Sequence, residues 1–155
     1  MTPKMAIGIW NDLPESLRNL SQNKIVFMDI YNPDDSYWSK LYENFTQSYA
    51  TGGQEIIFWR YTEAHQINYV KHTYCHEIGH FIDYNTGGYS SSSYWLTAMK
   101  DDEKTSGQKY VTPYGKNSLS EDFADSIAEY VTNRKEFVSR FPERYKLIKE
   151  LLKND

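Results

Sequence analysis

The pentad His76-Glu77-Ile78-Gly79-His80 constrains what this chain can fold into more than any other segment. Ile67, Val70, Tyr74, Ile78, Phe81 and Ile82 recur around it at helical spacing, and Asn85-Thr86-Gly87-Gly88 supplies a stop. A helix is therefore expected over residues 66–84. Residues four apart on a helix differ by about 40° around the axis and about 6 Å along it. His76 and His80 thus project from one face toward one point, with Glu77 beside them. A neutral imidazole is a good zinc donor, and a carboxylate beside a metal-bound water can take its proton. A catalytic zinc takes three protein ligands and keeps one position open, so a further donor must reach this helix from elsewhere in the chain.

Three sources of that donor can be weighed. The metzincin pattern puts a histidine six residues after the second histidine, but that residue is Thr86 here, and Asp83 stands where the pattern has glycine. That class is excluded. Asp83 itself lies three residues beyond His80 and points off the His76–His80 axis, which leaves it a minor rival as ligand. Glu121, in the run Glu121-Asp122-Phe123-Ala124-Asp125, is the stronger candidate. A helix carrying acids at i and i+4 can deliver Glu121 to the metal while Asp125 accepts the free ring N–H of a ligand histidine and fixes its tautomer. This E-x-x-x-D spacing is the gluzincin arrangement. Acidic pairs at this spacing are common on solvated faces, and only the preceding H-E-x-x-H gives this one weight.

His72 extends the histidine row to i, i+4, i+8. Three ligands on one straight helix would span about 12 Å, too far for bonds of about 2 Å to one ion, so His72 is expected beside the site rather than in it. His65 reads as an ordinary loop or strand histidine. Cys75, the single cysteine, excludes an internal disulfide and a zinc site of several thiolates, and it reads as a small buried hydrophobe.

A length of 155 residues suits one domain over 1–155 with its own core. A net charge of −4 with scattered basic residues argues against nucleic acid as a partner. No apolar run approaches the roughly 18 residues that cross a bilayer. The N-terminus lacks the regions of a signal peptide, so a chain complete as given is expected in the cytoplasm. A monomer is expected.

Along the chain, Leu13 to Leu20 reads as a short amphipathic helix and Lys24 to Tyr31 as a buried strand. After a turn at Asn32 to Asp35, Tyr37, Trp38, Leu41, Tyr42 and Phe45 form an aromatic stripe expected to pack in the core. Thr51-Gly52-Gly53 breaks the chain before a strand at Glu55 to Tyr61, a candidate edge for an extended peptide. Tyr89 to Ser93 reads as a polar surface loop and Trp95 to Lys104 as a short helix. A major helix is expected to start near Ser120, with Phe123, Ile127, Ala128 and Val131 inward, and a last helix to follow Phe141-Pro142 with Tyr145, Ile148 and Leu152 inward.

The downstream half carries a resemblance. Tyr114-Gly115-Lys116, then Glu121, Phe123, Ala124 and Asp125, together with the His-Glu-x-Gly-His motif followed by Asp83 and Tyr84, and the Phe141-Pro142 helix, resemble the anthrax lethal factor-like protease domain. That family includes the Pro-Pro endopeptidases. The similarity covers Glu55 to Leu152, with Leu13-Pro14 through Asp29 fitting more loosely. It implies an α+β, zincin-like metalloprotease domain in which a small mixed sheet packs on the H-E-x-x-H helix and the C-terminal half is helical. It further implies one zinc ion on His76, His80 and Glu121, with Glu77 as general base and Asp125 behind a ligand histidine. Tyr114 takes the place of the family's tyrosine seven residues before the glutamate ligand, whose hydroxyl points at the metal; Tyr110 is its rival. Aspartate at 125 departs from the usual glutamate and shortens that reach by one methylene.

The expected activity is hydrolysis of an extended polypeptide, proline-rich by the family, lying along Glu55 to Tyr61 with Trp59 and Tyr61 as walls. The family favours a toxin-related, secreted protein if this is a mature form. An intracellular regulatory peptidase and a non-catalytic binding module on the same scaffold are the rival readings.

Overall fold

Residues 2–20, 24–43, 45–52 and 55–152 are described in a computed structural model of the chain. Helix α1 (Pro3–Asn11) begins at Thr2, whose hydroxyl accepts the Met5 N–H, with Pro3 in the first turn. It buries Ala6 and Ile9, and the sequence reading did not foresee it. Helix α2 (Glu15–Leu20) buries Leu17. Strand β1 (Lys24–Met28) ends three residues before the expected Tyr31, and Ile30 and Tyr31 are exposed.

Helix α3 (Asp35–Leu41) follows a turn in which the Asn32 side chain accepts the Asp34 N–H. It corrects one expectation: none of its residues is buried, and Tyr37 and Leu41 are more than half exposed. The helix ends at Leu41, and Trp38 with Tyr42 and Phe45 beyond it lines a cleft rather than the core.

Strands β2 (Ala50–Thr51) and β3 (Glu55–Trp59) complete a three-stranded mixed sheet in the order β1-β3-β2. β1 runs parallel to β3 from Lys24↔Glu55 to Met28↔Trp59, and β2 runs antiparallel to it with Ala50 opposite Phe58. The expected edge strand is therefore the central one, paired on both sides at Ile57 and Phe58. β3 also stops short of Tyr61, because Arg60 adopts a left-handed φ of 48° and turns the chain.

The remaining major elements are helical: α4 (Ile67–Asn85), α5 (Ser93–Ser106), α6 (Leu119–Thr132), α7 (Arg134–Arg140) and α8 (Pro142–Leu151). Ile67 sits at the exposed start of α4, whereas Val70, Tyr74, Ile78, Phe81 and Ile82 are buried. Cys75 is fully buried, and burial pushes its thiol up to about 12. The expected surface loop after α4 is a 3-10 turn (Tyr89–Ser91) whose buried Ser90 donates both its N–H and its hydroxyl to Asp83, at 2.7 and 2.8 Å. Those bonds occupy both carboxylate oxygens of Asp83. Ser118 caps α6 by accepting the Glu121 N–H, and every side chain from Glu121 to Ala128 is buried. α6 is thus the central helix of this half.

Where α4 meets α6 the backbones nearly touch. A Cβ at Gly79 would lie 2.6 Å from the Ala124 Cα, a distance that only glycine leaves open. Farther from that crossing, the fully buried Arg144 guanidinium on α8 meets Asp102 of α5 at 3.0 Å and Asp122 of α6 at 2.8 Å. Asp102 also accepts the N–H groups of Glu143 and Arg144, capping α8. Among the described residues no helix is long and apolar enough to cross a membrane.

Candidate metal and catalytic site

Periodicity puts His76 and His80 on one face of α4, and the antiparallel approach of α6 lays Glu121 against them. Nε2 of His76 lies 3.1 Å from Nε2 of His80, and Oε2 of Glu121 lies 3.1 Å and 3.2 Å from the two nitrogens. A tetrahedral centre with bonds of about 2.0–2.1 Å holds its donors about 3.4 Å apart, so this triangle is nearly one face of such a tetrahedron.

The protons of the two rings can be assigned from their outer nitrogens. Nδ1 of His76 donates to Oδ1 of Asp125 at 2.8 Å, and Nδ1 of His80 donates to the Ser120 hydroxyl at 3.1 Å. Each neutral ring then has only a lone pair on Nε2. Three lone-pair donors at this separation repel one another unless a cation stands among them, and Glu121 Oε2 is a buried oxygen with no hydrogen-bond donor. Without an ion, a proton on His76 offsets that repulsion. Burial works against a charged His76, but Asp125 and Glu121 outweigh it and hold its pKa well above the usual histidine value. Burial would likewise raise Glu121, yet the facing imidazoles bring its carboxyl down to about 2. Among the described residues, His76, His80 and Glu121 form the group of donors suited to a metal ion.

These residues open into a cleft of about 690 Å³. Glu77 lies in its lining, 5 % exposed, and burial raises its carboxyl above the usual range. Gly52, at the end of β2, presses on it: a Cβ there would stand 2.7 Å from both the Glu77 carboxylate and its carbonyl oxygen. Tyr114, in the 3-10 turn Tyr114–Asn117, also lines the cleft, with its ring 6.0 Å from that of His76. Burial, with the charges of Glu121 and Glu77, keeps its phenol protonated well above the usual tyrosine range. The Thr112 hydroxyl fixes this turn by accepting the N–H groups of Tyr114 and Gly115, and it donates in a short hydrogen bond to Asp125 Oδ2. Tyr110 packs against the core instead.

Trp59 and Tyr61 do not line the cleft. Trp59 is buried on the central strand with its indole N–H on the Thr51 hydroxyl, and Tyr61 packs edge-on against Phe27. The walls are made by Trp38, Tyr42 and Phe45 on one side and Tyr84 on another, while Ala50 and Thr51 bring the β2 edge alongside. The sequence reading passed over Ser120, Thr112, Gly52 and Tyr42. Ser120 was open to inference from its place beside Glu121; Thr112 and Gly52 meet the site only through tertiary contact.

The sequence matches no protein-family model and no curated protein sequence. Among solved structures, the fold is similar to that of the Pro-Pro endopeptidase from Paenibacillus alvei, with a TM-score of 0.65 over 97 % of this chain and 92 % of that one, at 13 % identity. The chain therefore has the α+β, zincin-like fold of that endopeptidase: a small mixed sheet on the motif helix, followed by a helical half. At that identity the likeness speaks for the fold alone.

Proposed function

We propose that this chain is a single-domain zinc endopeptidase of the lethal factor-like, gluzincin type, related to the Pro-Pro endopeptidases. The observation that carries the reading is the triangle of donor atoms formed by His76, His80 and Glu121, 3.1–3.2 Å on a side. Two imidazoles and a carboxylate form a donor set that suits zinc. When bound, zinc supplies a Lewis acid that polarises a peptide carbonyl and acidifies water. Glu77 accepts the proton of the attacking water and returns it to the leaving amine, a task helped by a carboxyl tuned upward. Tyr114 keeps its phenol proton and donates it as a hydrogen bond to the charge developing on the peptide oxygen.

The substrate strand is assigned to the β2 edge. β3 is covered by β2 at Ile57 and Phe58, whereas Ala50 and Thr51 lie in the cleft lining and pair with β3 on one side only. An extended peptide added there would form main-chain bonds beside the metal. Its side chains would meet Trp38, Tyr42 and Phe45, flat rings that suit the proline-rich substrates implied by the family.

Metal analysis of the purified protein, followed by cleavage of a diverse peptide library, tests the reading. One zinc per chain and library cleavage that a chelator abolishes are expected; a zinc-loaded protein that cleaves nothing would favour a binding module instead. Glu121→Ala should purify without zinc, because two histidines alone leave the ion short of its protein ligands. Asp125→Ala should keep the fold and weaken zinc binding by about 10–100-fold, since it frees the His76 ring and its tautomer. Chelator competition measures the latter, and unchanged affinity would remove Asp125 from the site.

A further inference from the structure

The histidine row on α4 has a matching carboxylate row on α6, and the fold pairs them in sequence. His80 Nε2 meets Glu121 at 3.2 Å, His76 Nδ1 meets Asp125 at 2.8 Å, and His72 Nε2 meets Glu129 at 3.2 Å. Each step of four residues back along one helix is answered by four forward along the other, as antiparallel helices require. The first two rungs belong to the metal site. The third lies outside the cleft lining and touches neither the donors nor the space before them.

We propose that the His72–Glu129 rung is a positioning pair, which locks the register of α4 against α6 and so holds His76 and His80 opposite Glu121. The inference rests on the metal reading above. At the crossing Gly79 lets the two backbones meet at Ala124, which sets how close the helices come, and the rung ties their register about two turns away from that contact. A slip of one residue would move a donor by about 1.5 Å along the axis and about 100° around it, which would destroy a triangle of three short edges. The rung also runs in the right direction. His72 is the chief cause of the lowered carboxyl of Glu129, ahead of Asn133 and Arg140, so the pair is attractive.

Zinc affinity by chelator competition, with thermal melting of the metal-free proteins, tests this without reference to cleavage. His72→Ala and Glu129→Ala are each expected to weaken zinc binding by up to about tenfold, less than the loss of a partner bonded directly to a ligand histidine. The double variant should be no weaker than either single one, because both remove the same contact. His72→Gln, whose amide N–H can still reach the carboxylate, should recover most of the affinity. Alanine variants that bind zinc as tightly as wild type overturn the proposal, and so does a lowered melting temperature with unchanged affinity, which marks a merely stabilising pair. Should the alanine variants not fold, His72→Gln and His72→Phe carry the test: weaker binding by His72→Phe, which has no hydrogen-bonding atom, than by His72→Gln supports the lock, and affinities that do not differ overturn it. Absence of zinc binding by the wild-type protein would instead defeat the metal reading itself.

Discussion

Glu77→Gln is expected to retain one zinc per chain while slowing peptide cleavage by about 10²–10⁴-fold, the usual contribution of a general base. Glutamine matches glutamate in shape, so the close packing of Gly52 on this side chain survives, and the three donors are untouched. What disappears is the ability to take a proton from water. The loss should fall on kcat rather than KM, because Glu77 acts on the attacking water rather than on the bound strand. Metal analysis and library cleavage on the same preparation decide the matter. Cleavage within tenfold of wild type, with zinc in place, would remove Glu77 as the base.

Arg144→Met is expected to destabilise the fold by about 3–5 kcal/mol, because it strands two carboxylates in the interior. Asp102 and Asp122 are fully buried, and the arginine is the cation that faces both. Burial already raises the Asp122 carboxyl against the pull of Arg144, which shows how little water reaches it. At about 2–4 °C per kcal/mol for a domain of this size, the melting temperature should fall by roughly 6–20 °C. The damage should also reach the cleft. Asp122 adjoins Glu121 and accepts the Val111 N–H, at the start of the segment that carries Thr112 and Tyr114. Arg144→Lys, able to serve one carboxylate but not two, should fall between. A melting temperature within 1–2 °C of wild type for Arg144→Met, about the scatter of a neutral surface change, would show that the aspartates find other partners.

Much of the architecture was legible in the chain. The motif helix, α6 and the last helix follow from apolar residues at helical spacing between clear stops, and the observed bounds differ from the expected ones by a few residues. Helix α1 was missed although Thr2 and Pro3 carry its start, and α7 because only Asn133 separates it from α6. The errors that bear on function have a common origin. Tyr37, Trp38, Leu41, Tyr42 and Phe45 repeat at helical spacing, but the helix stops at Leu41, and periodicity does not state whether a face meets core or cleft. The strand at residues 55–61 is a candidate edge by its position just ahead of the motif; β2, two residues long, gives no periodic signal by which to see that it covers that edge.

By itself the sequence determined that His76 and His80 share one side of a helix, because a turn of 3.6 residues leaves no other arrangement of positions four apart. It also determined that Glu121 and Asp125 share one side of another. Only the tertiary structure decided that these two faces meet. The antiparallel register and the contact of Gly79 with Ala124 bring donors separated by some forty residues to within 3.2 Å, and no local propensity encodes that distance. The cleft wall was decided at the same level. Whether a ring is core or surface depends on what packs opposite it, which is a property of the assembled chain rather than of any segment.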